Sequence, residues 1–278
     1  MALEFEPLGE TMAAAVTGVD LARPFGVETT EELIQALMDH QVLCVRNQHL
    51  SPRALVVVGS AFGALETFVT RSDRLEEVPE VSVVSNRPPA LEGKALVQAK
   101  HWHTDGSYLA APATLTLLQA VTLPETGGDT EFINCCDVLD ALPNHLRRRI
   151  DGLRAVHKYL SRRNQSWVAK RSEVEIEETP DVHHPLIRTH PLSGRQSLYI
   201  NPNRIDRILG WGEEESDELL DELYEHAFRP CFQYRHRWQD GDLVIWDNRC
   251  TMHRANPDYD LTQLRIMHRV MLEGETPK

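Results

Sequence analysis

Two histidines and an aspartate lie close together in the segment AKHWHTDGSYLAAP, residues 99–112. If this segment is an extended strand, alternate side chains point to the same face, so His103 and Asp105 project together. An imidazole and a carboxylate on one face are two of the three protein ligands of the facial triad that holds non-haem Fe(II). Chance predicts about 0.8 such His-x-Asp pairs in a chain with 13 histidines and 17 aspartates, so the pair alone is weak evidence for a metal site.

A third ligand would have to come from another part of the chain. The segment GDLVIWDNRCTMHRA supplies His253 shortly after a predicted strand that ends in Trp246, Asp247 and Asn248. A loop histidine near an aromatic side chain is more often structural than a ligand, so this segment makes His253 a candidate and no more.

The last predicted strand, QLRIMHRVML, places arginines and apolar residues on alternate faces. Leu264, Ile266, His268 and Val270 share the face that needs a core, and the opposite face carries Arg265, Met267, Arg269 and Met271. The arginine face is directed either to solvent or into a cleft. The interleaved methionines fit a solvated face poorly.

A glycine pair precedes Asp129 and Thr130 in the segment LPETGGDTEFIN, residues 123–134. The pair indicates a turn that leads into a strand, and a β-hairpin is the simplest alternative.

Helical and strand patterns alternate along the rest of the chain. Helices are predicted at 29–41 with a Thr29-Thr30 cap, at 51–63 with Ser51 as cap and Pro52 in first position, and at about 138–151 and 213–228. Residues 86–98 contain Pro and Gly without a regular period and predict a loop. Short β-branched or aromatic strands are predicted at 42–48, 114–121, 184–190, 197–201, 230–238, 241–248 and 263–272.

This arrangement predicts a mainly β fold with flanking helices. The irregular spacing of the strands and the separate helices favour a sandwich or jelly roll over a parallel α/β sheet. No break in composition marks a boundary, so residues 1–278 are interpreted as a single domain.

The net charge and the cysteine content argue against several classes of partner and location. A formal net charge of −13 argues against nucleic acid or an anionic membrane as the main partner, although a local arginine cluster can still bind a small anion. The five cysteines form no Cys-x-x-Cys pair, the first residues lack a signal-peptide pattern, and no run is apolar enough to span a bilayer. We therefore expect a cytoplasmic protein.

Several motifs taken together resemble one family. HWHTDGSY, PETGGDTEF, HPLIRTHPLSGR, WDNRCTMHRANPDY and RIMHR occur in the order seen in the taurine and dichlorophenoxyacetate dioxygenases, the TauD/TfdA family of Fe(II)/2-oxoglutarate enzymes. The opening VTGVDLARP is similar to the N-terminal strand of that family, and the resemblance covers nearly the whole chain. It implies a double-stranded β-helix (jelly roll) core.

The resemblance also implies roles for individual residues. His103, Asp105 and His253 would hold Fe(II), whereas His101 falls outside the family pattern and is expected to be structural or to support a ligand. The cosubstrate 2-oxoglutarate would chelate the iron, with Arg265 and Thr130 binding its far carboxylate. Reaction with O2 would yield succinate, CO2 and a hydroxylated substrate. The intact Asp105 argues against a halogenase, in which a small residue replaces the carboxylate.

The substrate pocket departs from that of the taurine enzymes. Arg269 matches the arginine that grips the sulfonate there, which implies a small anionic substrate: a sulfonate, a sulfate ester or a carboxylate. Phe68 and Arg71 stand where the taurine enzymes have a polar His and Tyr, Ala99 replaces an Asn, and Arg204 replaces a pocket aromatic. We therefore expect taurine to be a poor substrate and a bulkier or more highly charged anion to be preferred. Alternatively, Arg71 and Arg204 point to solvent.

Two other functions fit the metal ligands alone. A non-catalytic metal- or ligand-binding protein on the same fold is the main alternative, and a zinc hydrolase is a weaker one. Arg265 and Thr130 discriminate the dioxygenase from both alternatives, because only an enzyme that uses the cosubstrate would require these two residues. The resemblance also implies a homo-oligomer, either a dimer or a tetramer.

Overall fold

The computed structural model describes residues 2–69, 71–88, 94–164 and 170–278, and within them the fold is mainly β with flanking helices. Of the predicted loop at 86–98, residues 89–93 lie outside the described residues, and the described remainder after residue 86 forms no helix or strand. The strands are β1 (Glu4–Pro7), β2 (Ala14–Thr17), β3 (Val42–Val45), β4 (Arg74–Leu75), β5 (Val78–Ser85), β6 (Leu115–Thr122), β7 (Thr130–Asn134), β8 (Arg154–His157), β9 (Val182–Pro185), β10 (Ile187–Thr189), β11 (Gln196–Leu198), β12 (Ile205–Ile208), β13 (Gln233–His236), β14 (Leu243–Asp247), β15 (Thr251–Ala255) and β16 (Ile266–Met271).

Two of the sheets carry the residues singled out above. An eight-stranded sheet has the order β1-β2-β3-β14-β6-β16-β5-β4, and a three-stranded sheet has the order β13-β7-β15. A second three-stranded sheet, β12-β8-β9, and the β10-β11 pair complete the strand pairing of the described residues. Because β6 and β7 belong to different sheets, the Gly-Gly turn between them links two sheets, and the hairpin alternative is wrong.

The centre of the large sheet is buried on both faces, which explains why β14 is apolar at consecutive positions. Leu243 and Ile245 face one core, which the helices of the N-terminal region cover. Val244 and Trp246 face a second core, which they share with Phe132 of β7 and other residues of the small sheet. This second core therefore fills the space between the two sheets.

The six helices of the described residues flank these sheets. The predicted helix at 138–151 is in fact two helices, because Pro143 at the start of the second interrupts the pattern. The helices are α1 (Val27–His40), α2 (Pro52–Phe62), α3 (Cys135–Asp140), α4 (Asn144–Ile150), α5 (Glu173–Glu177) and α6 (Glu213–Ala227).

Side-chain caps mark the starts of three of the six described helices, α2, α3 and α5. The Ser51 hydroxyl accepts a hydrogen bond from the Ala54 amide at 3.2 Å, which confirms the predicted start of α2. The predicted Thr29-Thr30 cap of α1 is wrong, because the helix already begins at Val27 with Gly26 as its cap. The short α5 was not predicted, although Ser172 and Glu175 form a capping box there.

Strand β16 carries the arginine face into the interior. Met267 and Met271 are buried, while Val270 packs on the opposite face against the helix-covered core. The arginine face is therefore directed into a cleft and not to solvent. The expectation that Leu264 needs a core is wrong, since this residue precedes the strand and is 46% exposed.

Other predicted strands are shorter or divided in the structure. The pattern at 184–190 is divided between β9 and β10, and the pattern at 230–238 begins with a 3-10 turn before β13. None of the helices in the described ranges is long and apolar enough to cross a membrane.

Candidate metal and cosubstrate site

His103 and His253 meet through a single backbone bridge. The His103 amide donates to the His253 carbonyl at 3.0 Å, and the His253 amide donates back at 2.8 Å. The segment 99–112 is therefore not the extended strand that alternation would require, because the chain leaves the bridge at once into turns. The two imidazole ring centroids lie 4.2 Å apart.

Asp105 completes the cluster from the turn after the bridge. Its carboxylate oxygens lie 3.9 Å from Nε2 of His103 and 3.7 Å from Nε2 of His253. One donor atom from each of the three side chains lies within 4.8 Å of the others. The structure thus brings the three predicted ligands together.

The hydrogen bonds around the cluster leave a ring nitrogen of His103 available to bind a cation. Nδ1 of His103 donates to the His101 carbonyl at 2.9 Å, which leaves the Nε2 lone pair directed at the cluster. His101 therefore contributes its backbone to the site. Its side chain is not among the three ligand candidates.

The protonation states also fit a divalent metal. Burial lowers the pKa of His103, and it lowers the pKa of His253 to about 3. Burial alone would raise the pKa of Asp105, but nearby His253 and Arg269 outweigh it and lower this pKa to about 2. Two neutral imidazoles and one carboxylate are the donor set of a facial triad, so these residues fit Fe(II).

A buried polar network fixes the carboxylate of Asp105. The Thr116 hydroxyl donates to Oδ2 at 2.9 Å, and Arg269 Nη1 lies 3.2 Å from Oδ1. Asn248 in turn donates to the Thr116 oxygen at 2.8 Å and accepts from Trp246 Nε1 at 2.9 Å. Sequence reasoning singled out the Trp246–Asn248 stretch only as a strand end and missed Thr116.

Arg265 is a buried guanidinium with spare donors. Its side chain is 5% exposed, and Nε donates to the Gly128 carbonyl at 2.9 Å. Among the described residues it has no carboxylate within 4.0 Å, and burial lowers its pKa. Asp129 interacts with it only from farther away. A buried cation without a close counter-ion is costly, and an anionic ligand would reduce that cost.

Thr130, the first residue of β7, follows the turn against which Arg265 packs. Its hydroxyl oxygen accepts a hydrogen bond from Trp238 Nε1 at 3.0 Å, which leaves the hydroxyl proton free to be donated. Trp238 was not predicted, because its sequence neighbours give no sign that it reaches Thr130.

The Gly-Gly turn holds Arg265 by close contact. Gly127 and Gly128 have φ of 75° and 70°, in the region that favours glycine. A Cβ on Gly128 would lie 3.2 Å from both Cδ and Nε of Arg265. A side chain at Gly128 would therefore displace the guanidinium.

We expect Gly128→Ala to lower the free energy of unfolding by about 1–2 kcal/mol and to raise the KM for 2-oxoglutarate several-fold. Gly194→Ala is the matched control, because Gly194 has a φ of 69° but nothing lies within 4 Å of its added Cβ. Gly194→Ala should lose stability through backbone strain alone, Gly128→Ala should lose at least as much in thermal unfolding, and only Gly128→Ala should change the KM. The same KM in both variants would contradict the packing role of Gly128.

Three of the four predicted substrate residues line one cavity beside the ligands. Phe68, Arg204 and Arg269 share it with His103 and Asp105. The guanidinium carbon of Arg269 lies 5.1 Å from the centre of the Phe68 ring. The other residues that line this cavity are Val69, Asp73, Ser82, Val84, Gln98, Ala99, Thr104, Gly106, Tyr108, Tyr159, Asn164, Asn203 and Met271.

Arg71 is not brought to this cavity. Its side chain is 45% exposed and pairs with Glu178 at 2.9 Å and with Glu175 at 3.6 Å. The two carboxylates come from the α5 region, which the sequence patterns did not predict. They hold Arg71 at the surface.

Comparison with known proteins agrees with this site. Residues 4–271 match the family described as taurine catabolism dioxygenase TauD, TfdA family. An alpha-ketoglutarate-dependent 2,4-dichlorophenoxyacetate dioxygenase of Cupriavidus pinatubonensis is 34% identical over 97% of each chain. An alpha-ketoglutarate-dependent sulfate ester dioxygenase of Pseudomonas putida is 32% identical over 99% of this chain and 91% of its own.

A solved structure agrees as well. The crystal structure of AAD-2 with Mn(II) and N-oxalylglycine superposes with a TM-score of 0.85 at 30% identity, over 100% of this chain and 99% of that one. The chain is thus a dioxygenase that depends on 2-oxoglutarate, also called alpha-ketoglutarate. It belongs to the TauD/TfdA family, as its motifs indicated.

Proposed function

We propose that this chain hydroxylates a small anionic organic substrate, with 2-oxoglutarate as cosubstrate and with Fe(II) held by His103, Asp105 and His253. The products are the hydroxylated substrate, succinate and CO2. The observation that carries the proposal is the donor triad, two members of which, His103 and Asp105, line a cavity that also presents the Arg269 guanidinium. The named activities of the relatives, on a phenoxyacetate and on sulfate esters, support a carboxylate, sulfate ester or sulfonate as the anion.

Arg265 and Thr130 bind the far carboxylate of 2-oxoglutarate in this proposal. Because Nε of Arg265 is held by the Gly128 carbonyl, the plane of the guanidinium is fixed and its remaining N–H donors face one carboxylate. The Thr130 hydroxyl adds a further donor, which the bond from Trp238 orients. Iron bound at this site would supply the chemistry by which O2 oxidises both 2-oxoglutarate and a C–H bond of the substrate.

Arg269 binds the substrate anion. One terminal nitrogen stays with Asp105, so the guanidinium has a fixed position relative to the metal ligands. Its Nε is buried without a hydrogen-bond partner among the described residues. Phe68, Val84 and Met271 form apolar walls that limit water in the cavity.

The arrangement of the sheets bears on the fold of the whole chain. The two sheets that enclose the core around Phe132 and Trp246 support a double-stranded β-helix (jelly roll) as the core of a single domain, residues 1–278.

All five cysteines are free thiols, which supports a reducing, cytoplasmic location. We also propose a homo-oligomer, a dimer or a tetramer, and sedimentation would test it.

A substrate screen that measures succinate formed from 2-oxoglutarate tests the proposed function. Phenoxyacetates, alkyl sulfates and alkyl sulfonates form the panel, and each is assayed with and without added Fe(II). We expect at least one class of anion to stimulate succinate formation in an iron-dependent manner. Iron-independent product formation would contradict the proposal.

Taurine is expected to be a poor substrate in the same screen. Phe68 and Ala99 line the cavity where the taurine enzymes have polar groups, and Arg204 adds a positive charge that repels the taurine ammonium group. Sulfite release coupled to succinate formation is the measurement, and the best anion of the panel is the reference. Taurine turnover as efficient as that of the reference would contradict this prediction.

A further inference from the structure

Arg204 lies in the cavity between two aromatic rings. Its guanidinium carbon is 4.9 Å from the ring centres of both Tyr108 and Tyr159, and Nη1 donates to the Tyr159 carbonyl. It is the residue before β12, and it shares the cavity with His103, Asp105 and Arg269. The cavity therefore presents a second guanidinium besides Arg269.

The charge of Arg204 is not balanced by a local carboxylate. Among residues 2–69, 71–88, 94–164 and 170–278, no Asp or Glu lies within 4.0 Å of its guanidinium, and burial lowers its pKa. The acid that interacts with it, Asp105, is already bonded to Thr116 and Arg269. A further cation, Arg171, stacks on Tyr159 at 4.2 Å, so this end of the cavity is positive.

Arg249 shows how an arginine is held by a close carboxylate in this chain. Arg249 is buried, and its side chain donates to both carboxylate oxygens of Asp247, at 2.9 and 3.1 Å from Nε. The cation–π contacts of Arg204 are weaker than such a charge-assisted pair. Because no carboxylate of the described residues pairs directly with Arg204, an anion that enters the cavity would compensate its positive charge.

We propose that the substrate carries two negative charges, one bound by Arg269 next to the metal ligands and the other by Arg204 between Tyr108 and Tyr159. This inference rests on the proposed function and narrows its substrate class. The substrate is a small organic dianion, with carboxylate, sulfonate or sulfate groups separated by an apolar body. Phe68, Met271 and the two tyrosine rings contact that body.

Pairs of compounds that differ only in charge test the second subsite. Phenoxyacetates with a carboxylate at ring position 3 or 4 are compared with the corresponding carboxamides, which have nearly the same shape and one negative charge less. The KM is measured by succinate formation, and the Kd is measured by calorimetry on the anaerobic protein loaded with Fe(II) and 2-oxoglutarate. For at least one ring position, we expect the wild-type protein to bind the carboxylate at least about tenfold more tightly than the carboxamide.

Variants assign this preference to Arg204. Arg204→Gln should reduce it to about twofold or less while the Kd for the carboxamide changes little, and Arg204→Lys should retain part of it. Arg207→Gln is the matched control, because Arg207 lies three residues after Arg204, within β12, but pairs with Asp206 at 2.8 Å, and this variant should keep the full preference. The comparison within the wild-type protein remains informative if Arg204→Gln fails to fold.

The outcomes separate this inference from the proposed function. Equal binding of carboxylate and carboxamide at both ring positions, or an equal preference in Arg204→Gln and the wild type, would overturn the second subsite. Succinate formation with the carboxamides would then still support a dioxygenase for single anions. Absence of binding by both members of each pair would also overturn the dianion subsite, whereas iron-dependent consumption of 2-oxoglutarate would continue to support the proposed reaction.

Discussion

Asp105→Ala is expected to abolish turnover, with a loss of about a thousandfold or more, while the chain remains folded. Asp105 is the anionic member of the cluster, and its low pKa keeps it ionised throughout the neutral range. Without it the two imidazoles cannot hold Fe(II) in a facial triad, and Arg269 loses the carboxylate that fixes its position. His103→Ala and His253→Ala should have the same effect, since each removes one donor of the cluster.

Succinate formation gives the activity of these variants, and thermal unfolding reports whether they fold. His101→Ala is the matched control: it removes a neighbouring imidazole but keeps the backbone carbonyl that accepts from His103. We expect it to retain most of the activity. An inactive His101 variant together with an active His103 variant would show that the ligands are assigned wrongly.

Arg265→Ala is expected to raise the KM for 2-oxoglutarate by about tenfold or more, because a charge-assisted hydrogen bond contributes roughly 1.5–3 kcal/mol. No carboxylate of the described residues lies within 4.0 Å of Arg265, so its removal leaves no acid without a partner. The effect should therefore appear in cosubstrate binding more than in folding. Arg265→Lys should restore only part of the affinity, since the planar fork is lost.

Arg87→Ala serves as the control for this variant. Arg87 is a nearby cation, but its Nη2 donates to the Leu261 carbonyl, whereas Arg265 packs on the Gly-Gly turn before Thr130. Its substitution should leave the KM for 2-oxoglutarate unchanged. An unchanged KM in Arg265→Ala would place the far carboxylate of the cosubstrate elsewhere.

Local patterns predicted the elements whose signals lie within a few residues. Ser51 and Pro52 define the start of α2, and the continuous apolar run of β14 reflects burial on both faces. The split of the helix predicted at 138–151 was missed, although Pro143 removes a donor and blocks a continuous helix. The early start of α1 at Val27 was missed as well, since Gly26 offers no side-chain cap.

The family motifs identified the three ligand candidates, but not the way in which the chain presents them. His103 pairs with His253 through one backbone bridge, which joins two segments that lie 150 residues apart in the sequence. Thr116 and Trp238 were missed for the same reason, because each contacts its partner only after distant segments have come together. Arg71 was placed in the pocket by analogy, whereas two glutamates of the α5 region hold it at the surface.

Anaerobic titration tests whether the His103–Asp105–His253 cluster binds Fe(II) together with 2-oxoglutarate. Fe(II) is added to the protein with 2-oxoglutarate in the absence of O2, and the visible spectrum is recorded. We expect a lilac charge-transfer band that saturates at one iron per chain, is absent in Asp105→Ala and requires more 2-oxoglutarate in Arg265→Ala. Stoichiometric zinc binding without such a band on addition of Fe(II) would contradict the account and favour a zinc hydrolase or a non-catalytic metal-binding protein.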